Sequence, residues 1–163
     1  MSTILNTAGE NKPLENICNE ASGIFHIVTA EWNPEVTHAL RDGARETLLA
    51  AGVHESNIRM HAVPGTVELV NIAAHVMKHS STEAVIVIGC VIRGDTPHFD
   101  YVCQIVAQGV ATLNSRGDSP VIFGVLTVNN QEQALERAGG KLGNKGSEAA
   151  AAAITMVNIH YQI

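Results

Sequence analysis

The sequence predicts an α/β protein, a three-layer αβα sandwich. Two observations support this prediction. Strand-like and helix-like segments alternate along the chain. At least two of the strand-like segments are apolar throughout, and 84–92 (AVIVIGCVI) is the clearest. Continuous apolar strands are typical of a parallel sheet that is buried on both faces. We therefore expect a flavodoxin-like parallel sheet flanked by helices on both faces.

The first strand and helix are predicted within residues 23–52. Residues 23–32 (GIFHIVTAEW) are rich in β-forming residues. Asn33 is an expected N-cap, and Pro34 occupies the first helical position, where no N–H is needed. Gly52 is expected to end the helix. Its apolar face carries Val36, Leu40, Ala44 and Leu48.

The later elements continue the alternation. Strands are predicted at 58–65, 84–92 and 120–128, and helices at 67–79, 97–114, 130–140 and 143–161. The helix at 97–114 is expected to direct inward Val102, Ile105, Val106, Gly109, Val110 and Leu113. The last helix contains five consecutive alanines, which suit close packing against other helices, including those of another subunit. High helix propensity alone would also explain them.

Composition limits the classes of protein to consider. The 163 residues suffice for one domain, and we expect a single domain at 23–163 after an N-terminal extension at 1–22 that packs on a neighbouring subunit. Ten Lys and Arg against 16 Asp and Glu give a net charge of -6, the wrong sign for binding nucleic acid. The three cysteines lack CxxC spacing, as expected in a reducing cytosol.

No targeting, membrane or metal-binding segment is predicted. The first twenty residues lack a basic n-region and a continuous apolar core, so they do not resemble a signal peptide. No stretch reaches the roughly 20 apolar residues that a membrane helix needs. The histidines other than His98 are scattered without ligand spacing. We expect a soluble, cytoplasmic protein without metal.

The carboxyl ends of the strands are the expected location of a ligand site, because parallel sheets bind ligands at that edge. Four segments follow strands: AEWN (30–33), VPGTVE (63–68), CVIRGDTPH (90–98) and FGVLTV (123–128). The third is the most polar. Gly94, Asp95 and Thr96 could offer backbone N–H groups to an anion such as phosphate at the start of a helix.

Individual residues in these segments permit more than one interpretation. Thr96 and Asp95 could simply cap the helix without any ligand. His98, in the first turn, could transfer protons near neutral pH or be an ordinary surface histidine. Trp32 could stack on a flat heterocycle or belong to the core. Arg137, Lys141 and Lys145 could meet an anionic substrate or lie in a solvated loop. The nearby GKLGNKG stretch (140–146) fits no phosphate-binding loop motif.

Together these segments resemble the lumazine synthase family from about Gly23 to Asn158. The most specific matches are AVIVIGCVIRGDTPHFDYVC and EQALERAGGKLGNKG, supported by FHIVTAEWN and VPGTVEL. The resemblance implies a transferase of the penultimate step of riboflavin biosynthesis. It would condense 5-amino-6-ribitylaminouracil with 3,4-dihydroxy-2-butanone 4-phosphate into 6,7-dimethyl-8-ribityllumazine, without cofactor or metal. It also implies a homopentamer, with twelve pentamers forming an icosahedral 60-mer in many members.

The resemblance assigns a role to each matching residue. His98 matches the proton-transferring histidine, while Asp95 and Thr96 match the turn that holds the substrate phosphate. Arg137 matches the arginine that neutralises this phosphate. The positions that match the binding of the pyrimidine and its ribityl chain are Trp32, Thr66, Val67, Glu68, Cys90, Val91 and Ile92. The resemblance places Phe123 and Arg137 in the neighbouring subunit's share of the site, with Lys145 nearby.

The sequence departs from the family pattern at two positions, and two alternative functions are open to it. Val67 stands where members often carry an aromatic residue, so pyrimidine binding would depend more on Trp32. Ile105 replaces a common acidic residue, which affects assembly more than chemistry. The chain could instead be a non-catalytic riboflavin or lumazine carrier, or a shell-forming relative that serves as a compartment. A phospho-acceptor receiver domain is disfavoured, because TAEWN lacks the paired acids that would hold magnesium.

Overall fold

The computed structural model describes residues 13–163 and has the predicted α/β architecture. The chain runs through β1 (Ile24–Ala30), α1 (Pro34–Ala50), β2 (Ile58–Val63), α2 (Leu69–His79), β3 (Thr82–Ile92), α3 (His98–Asn114), β4 (Val121–Val128), α4 (Gln131–Glu136), β5 (Ala138–Gly140), β6 (Gly143–Asn144) and α5 (Lys145–His160). The main sheet is parallel, in the order β2-β1-β3-β4. The flavodoxin-like three-layer sandwich is therefore confirmed.

Two apolar cores lie on opposite faces of the sheet. Alternate residues of β1 separate between them: Phe25 and Ile27 face α1 and α5, whereas Val28 and Ala30 face α2 and α3. This alternation follows from the two-residue repeat of a strand, which directs successive side chains to opposite faces. Both faces of β1 and β3 are buried, which explains their nearly continuous apolar sequences.

Helix α1 confirms the predicted apolar face and start. Val36, Leu40, Ala44 and Leu48 are all buried. Asn33 does occupy the N-cap position, but in the left-handed conformation, with φ 58° and ψ 56°, and its side chain makes no capping bond. Its Nδ2 atom instead donates to the Cys90 carbonyl oxygen at 3.0 Å.

The alanine-rich helix α5 packs closely against α1 of the same chain. Ala149, Ala150 and Ala153 are buried in the core beneath α1. Gly146 lies directly against the Leu40 carbonyl, where a Cβ atom would overlap the oxygen. Part of the small-residue pattern is therefore explained by contacts within one chain.

Helix α3 differs from its prediction at two points. Pro97 occupies the N-cap position, the helix begins at His98, and Thr96 provides no cap. Val106, Val110 and Leu113 are buried as predicted, but Ile105 is 49% exposed, so its inward prediction was wrong. Helical periodicity shows that Ile105 is on an apolar stripe of the helix. It does not show whether that part of the stripe packs in the core of this chain or lies on its surface.

The ends of the described chain are tied to the sandwich. Ile17 N–H donates to the Ala51 carbonyl at 2.8 Å, and Cys18 N–H donates to Asn158 Oδ1 at 2.9 Å. Ile17 and Cys18, within the predicted N-terminal extension, therefore contact their own chain, while residues 1–12 lie outside the described residues. None of the helices between residues 13 and 163 is long and apolar enough to cross a membrane.

A histidine pair connects β1 to β2 beneath the end of α2. His26 is only 4% exposed, and its Nδ1 atom lies 2.9 Å from Nε2 of His61. Its Nε2 atom lies 3.0 Å from Ser80 Oγ. Two ring nitrogens can share one proton only if at least one ring is neutral. Burial, followed by the nearby His61 and Arg59 charges, lowers the pKa of His26 to about 4.

This pair predicts a loss of stability in acid. The pKa of His26 is lower in the folded state than its usual 6.5, so unfolded chains bind the extra proton as the pH falls below 6.5. The free energy of unfolding should therefore fall as the pH is lowered from 6.5 to 4. His26 should account for about 2 kcal/mol of this fall. Urea unfolding of the wild-type protein and His26→Gln at several pH values measures this contribution.

The His26→Gln variant should show a weaker pH dependence than the wild type, since glutamine can form hydrogen bonds but does not titrate in this range. His160→Gln, at the exposed end of α5, is the matched control and should retain the wild-type dependence. Parallel curves for the wild type and His26→Gln would contradict the role assigned to the pair.

Candidate functional site

A cavity of about 540 Å³ opens at the carboxyl edge of the sheet. It brings together eight residues that the sequence placed in a ligand site: Trp32, Thr66, Val67, Glu68, Cys90, Val91, Ile92 and His98. They lie at or directly after the carboxyl ends of three adjacent strands, β2, β1 and β3. The chain adds β2 on one side of β1 and β3 on the other, so this is the topological switch point where such sheets bind ligands.

The segment after β1 supplies the wide aromatic surface of the cavity. Trp32 is 72% exposed, which is unusual for the largest apolar side chain. The neighbouring Asn33 fixes this segment to the end of β3 through its bond to the Cys90 carbonyl. Gly65, in the segment after β2, leaves room for the Glu68 carboxylate and the Trp32 indole. A Cβ atom at this position would lie 2.9 Å from Glu68 Oε2 and 3.7 Å from Trp32 Cδ1.

Thr66 and Cys90 form the buried floor of the cavity. Thr66 is 6% exposed and packs against Gly89, where an added Cβ atom would lie 2.9 Å from Thr66 Cγ2. Burial raises the pKa of the Cys90 thiol to about 11. This thiol is therefore protonated at neutral pH and poorly suited to act as a nucleophile.

The turn between β3 and α3 lies beside His98. Gly94, Asp95 and Thr96 are exposed, and their backbone N–H groups donate to no acceptor within residues 13–163. Asp95 and Thr96 do not line the cavity itself, but they directly precede the helix that carries His98. Free N–H groups beside a helix start can bind an anion.

The remaining three predicted residues lie in a second depression of about 260 Å³. Phe123, Arg137 and Lys145 line it, together with Glu148. Arg137 Nη1 donates to the Gln133 carbonyl at 2.9 Å, and Lys145 Nζ lies 2.7 Å from a Glu148 carboxylate oxygen. Within one chain, these basic residues are thus separate from the cavity that contains His98.

The short β5–β6 hairpin positions Arg137 and Lys145 in this second depression. Lys145 N–H donates to the Arg137 carbonyl at 2.9 Å, which joins the end of α4 to the start of α5. Lys141 projects from the turn of the hairpin and contacts Glu136, whose carboxylate raises the pKa of this lysine. Lys141 does not line the depression.

Three further residues line the cavity, although none of them was assigned an individual role in binding from the sequence: Asn33, Gly65 and Val102. Asn33 and Gly65 lie within the segments predicted at the site, whereas Val102 was predicted only as an inward residue of the helix at 97–114. Among the residues that the structure describes, no group of three or more His, Cys, Asp or Glu side chains is arranged to hold a metal ion.

Comparisons with known proteins identify the family of this chain. Residues 23–160 match the model of the family described as 6,7-dimethyl-8-ribityllumazine synthase. A 6,7-dimethyl-8-ribityllumazine synthase from Bacteroides fragilis is 55% identical over 139 residues, covering 85% of this chain and 97% of that protein. One from Phocaeicola vulgatus is 52% identical, covering 82% of this chain and 80% of that protein.

A more distant relative extends the similarity over a longer part of the chain. The enzyme of the same name from Flavobacterium johnsoniae is 47% identical over 160 residues, which covers 95% of this chain and 84% of that protein. The family match, over residues 23–160, includes the residues that line the cavity at the switch point and the second depression. The chain therefore belongs to the 6,7-dimethyl-8-ribityllumazine synthase family.

Proposed function

We propose that the protein condenses 5-amino-6-ribitylaminouracil with 3,4-dihydroxy-2-butanone 4-phosphate to form 6,7-dimethyl-8-ribityllumazine, phosphate and water. This is a transferase reaction of riboflavin biosynthesis. The observation that carries the proposal is the cavity that combines Trp32 and His98 at the switch point of the sheet. The family match supports the same reaction.

The reaction requires alignment more than activated side chains. The substrate amine attacks the ketone and forms an imine with loss of water. Phosphate then leaves, and the ribitylamino nitrogen closes the second ring with loss of water. The substrates supply the nucleophile, the carbonyl and the leaving group, so the protein needs to orient them, bind the phosphate and move protons. The protonated Cys90 thiol fits this scheme.

We assign the pyrimidine to the cavity and proton transfer to His98. The exposed indole of Trp32 would stack on the flat ring, and Val67 would offer a smaller apolar contact. The carbonyl and N–H groups of Cys90, Val91 and Ile92 would bind the uracil edge. The segment Thr66–Glu68 would bind the ribityl chain, with the Glu68 carboxylate accepting hydrogen bonds from its hydroxyl groups.

The phosphate would bind to the turn that precedes α3. The free N–H groups of Gly94, Asp95 and Thr96 would donate to it, while the Asp95 carboxylate stays in solvent. The lining of the cavity includes no lysine or arginine, as far as residues 13–163 are concerned. Arg93 precedes the turn, but its guanidinium is paired with Asp100, so a dianion held there needs further positive charge from elsewhere.

We infer that this charge comes from a second subunit. Phe123, Arg137 and Lys145 lie together in the second depression, where a neighbouring chain could complete its site. The exposed side chains of Tyr101 and Ile105 on α3, with 64% and 49% exposure, offer apolar surface for such an assembly. We propose a homopentamer, and a closed shell of twelve pentamers. Light scattering after size-exclusion chromatography measures the mass against the 17.3 kDa chain.

The location and the terminal segment complete the proposal. We place the protein in the cytoplasm, because Cys18, Cys90 and Cys103 are all free thiols. We propose that residues 1–22 precede a single domain at 23–163 and that this extension contacts a neighbouring subunit. Neither a nucleic acid nor a membrane is proposed as a partner.

A lumazine assay tests the proposed reaction. The purified protein is mixed with the ribitylaminouracil and the butanone phosphate, and lumazine formation is followed by absorbance against the spontaneous reaction. We expect a clear acceleration. No acceleration, combined with tight riboflavin binding, would favour the second candidate, a non-catalytic carrier, for which the exposed Trp32 is the supporting observation. If the protein forms a closed shell but shows neither activity nor ligand binding, the result would favour the other alternative, a shell-forming relative that serves as a compartment.

Replacement of His98 should slow the chemistry rather than weaken binding. His98→Ala is expected to lower kcat by about 10²-fold, with little change in either KM, because general acid-base catalysis typically contributes a factor of this size. Steady-state kinetics with each substrate varied in turn measures the effect. The exposed His160 provides the control, and His160→Ala should retain wild-type kinetics. An unchanged kcat in His98→Ala would reject the assignment.

Replacement of Arg137 should mainly weaken binding of the phosphate substrate. Loss of a charge-assisted hydrogen bond is expected to raise KM for the butanone phosphate by roughly tenfold to a hundredfold. KM for the pyrimidine should change little. Arg116→Ala, an exposed arginine after α3, is the matched control. Equal changes in both KM values would contradict a specific role in phosphate binding.

A further inference from the structure

Arg93 connects the end of β3 to the first turn of α3 across the turn assigned to phosphate. Its N–H donates to the Val128 carbonyl at 2.9 Å, which fixes its backbone to the end of β4. Its guanidinium lies over the ring of Phe99, 4.2 Å from the centroid, and its Nη2 atom lies 3.1 Å from Asp100 Oδ1. The two contacted residues, Phe99 and Asp100, directly follow His98 in the chain.

The turn itself contains few other restraints. Thr96 does not cap α3, and the backbone N–H groups of Gly94, Asp95 and Thr96 donate to no acceptor in the described part of the chain. Free N–H groups are useful for binding an anion only if they are held in convergent positions. A turn without internal hydrogen bonds would otherwise lose conformational freedom on binding, and that loss weakens affinity.

We propose that Arg93 is a positioning residue that holds this turn and the first turn of α3 ready for the phosphate group. The role rests on the proposed function of the turn. It needs the planar shape of the guanidinium as well as its charge, because the same group stacks on Phe99 and contacts Asp100. A lysine has the charge but lacks the planar group that can make both contacts together.

The proposal differs from simple electrostatic attraction in a measurable way. If Arg93 acted only as a positive charge near the phosphate, Arg93→Lys would behave like the wild type. Asp100→Asn would then strengthen phosphate binding, since it removes a negative charge. If Arg93 positions the turn, both variants should weaken phosphate binding. Lysine cannot contact Phe99 and Asp100 together, and Asp100→Asn removes the charge that pairs with the guanidinium.

The test uses the intact protein and inorganic phosphate as the probe. Calorimetry gives the Kd of phosphate, and steady-state kinetics gives kcat and both KM values. We expect Arg93→Ala to raise the phosphate Kd and the KM for the butanone phosphate by roughly tenfold. We expect Arg93→Lys and Asp100→Asn to cause smaller increases in the same direction. KM for the pyrimidine should stay within about twofold.

Arg45→Ala is the matched control for general destabilisation. Arg45, on α1, forms an ion pair with Glu55, which lies beyond the end of that helix, and the Arg45 side chain is partly exposed, as is that of Arg93. Arg45→Ala should leave kcat, both KM values and the phosphate Kd unchanged. Thermal unfolding of Arg45→Ala and Arg93→Ala checks that any weaker phosphate binding in Arg93→Ala does not come from unfolding.

The outcomes separate the two levels of the proposal. A wild-type phosphate Kd in Arg93→Ala, or tighter binding in Asp100→Asn, would overturn the positioning role and leave the reaction intact. A wild-type protein that forms no lumazine but binds phosphate through an Arg93-dependent turn would overturn only the proposed reaction. No phosphate binding by the wild-type protein would overturn the positioning role.

Discussion

The parallel pairing of β1 with both β2 and β3 determines which parts of this chain can meet. Because all three strands run in the same direction, Trp32, Thr66 and Val91 reach the same edge of the sheet. The insertion of β1 between its partners leaves a gap between the following segments, and the cavity occupies that gap. Asn33 reinforces this arrangement through its bond to the Cys90 carbonyl.

The same strand order separates the basic residues from the cavity. Strand β4 lies at the outer side of β3, so Phe123 projects into a different depression, where the β5–β6 hairpin also brings Arg137 and Lys145. One chain therefore has a largely apolar cavity with a histidine and a separate basic surface. Our proposal that two subunits complete each site follows from this separation and from the chemistry of a phosphate dianion, which binds best beside positive charge.

Much of the fold was predictable because its strands and helices carry strong periodic patterns. The buried faces of β1 and α1 follow directly from their sequences, and the edge of the sheet that bears the cavity follows from the parallel arrangement. The β5–β6 hairpin was not predicted, since its strands of three and two residues are too short for periodicity. Ile105 was misplaced because its apolar character does not say which surface covers it. Spacing alone also could not divide the predicted site into two depressions, for that division depends on β4 being an edge strand.

Complementation between two impaired variants tests the shared site most directly, provided that the butanone phosphate is kept well below the KM of Arg137→Ala. His98→Ala and Arg137→Ala each damage a different half, so an assembly that contains both chains can form some sites with two intact halves. Co-expression at equal levels should restore activity to about one quarter of the wild type if subunits mix at random and each site uses one half from each of two chains. Activity no greater than the mean of the two separate variants would contradict a site shared between subunits.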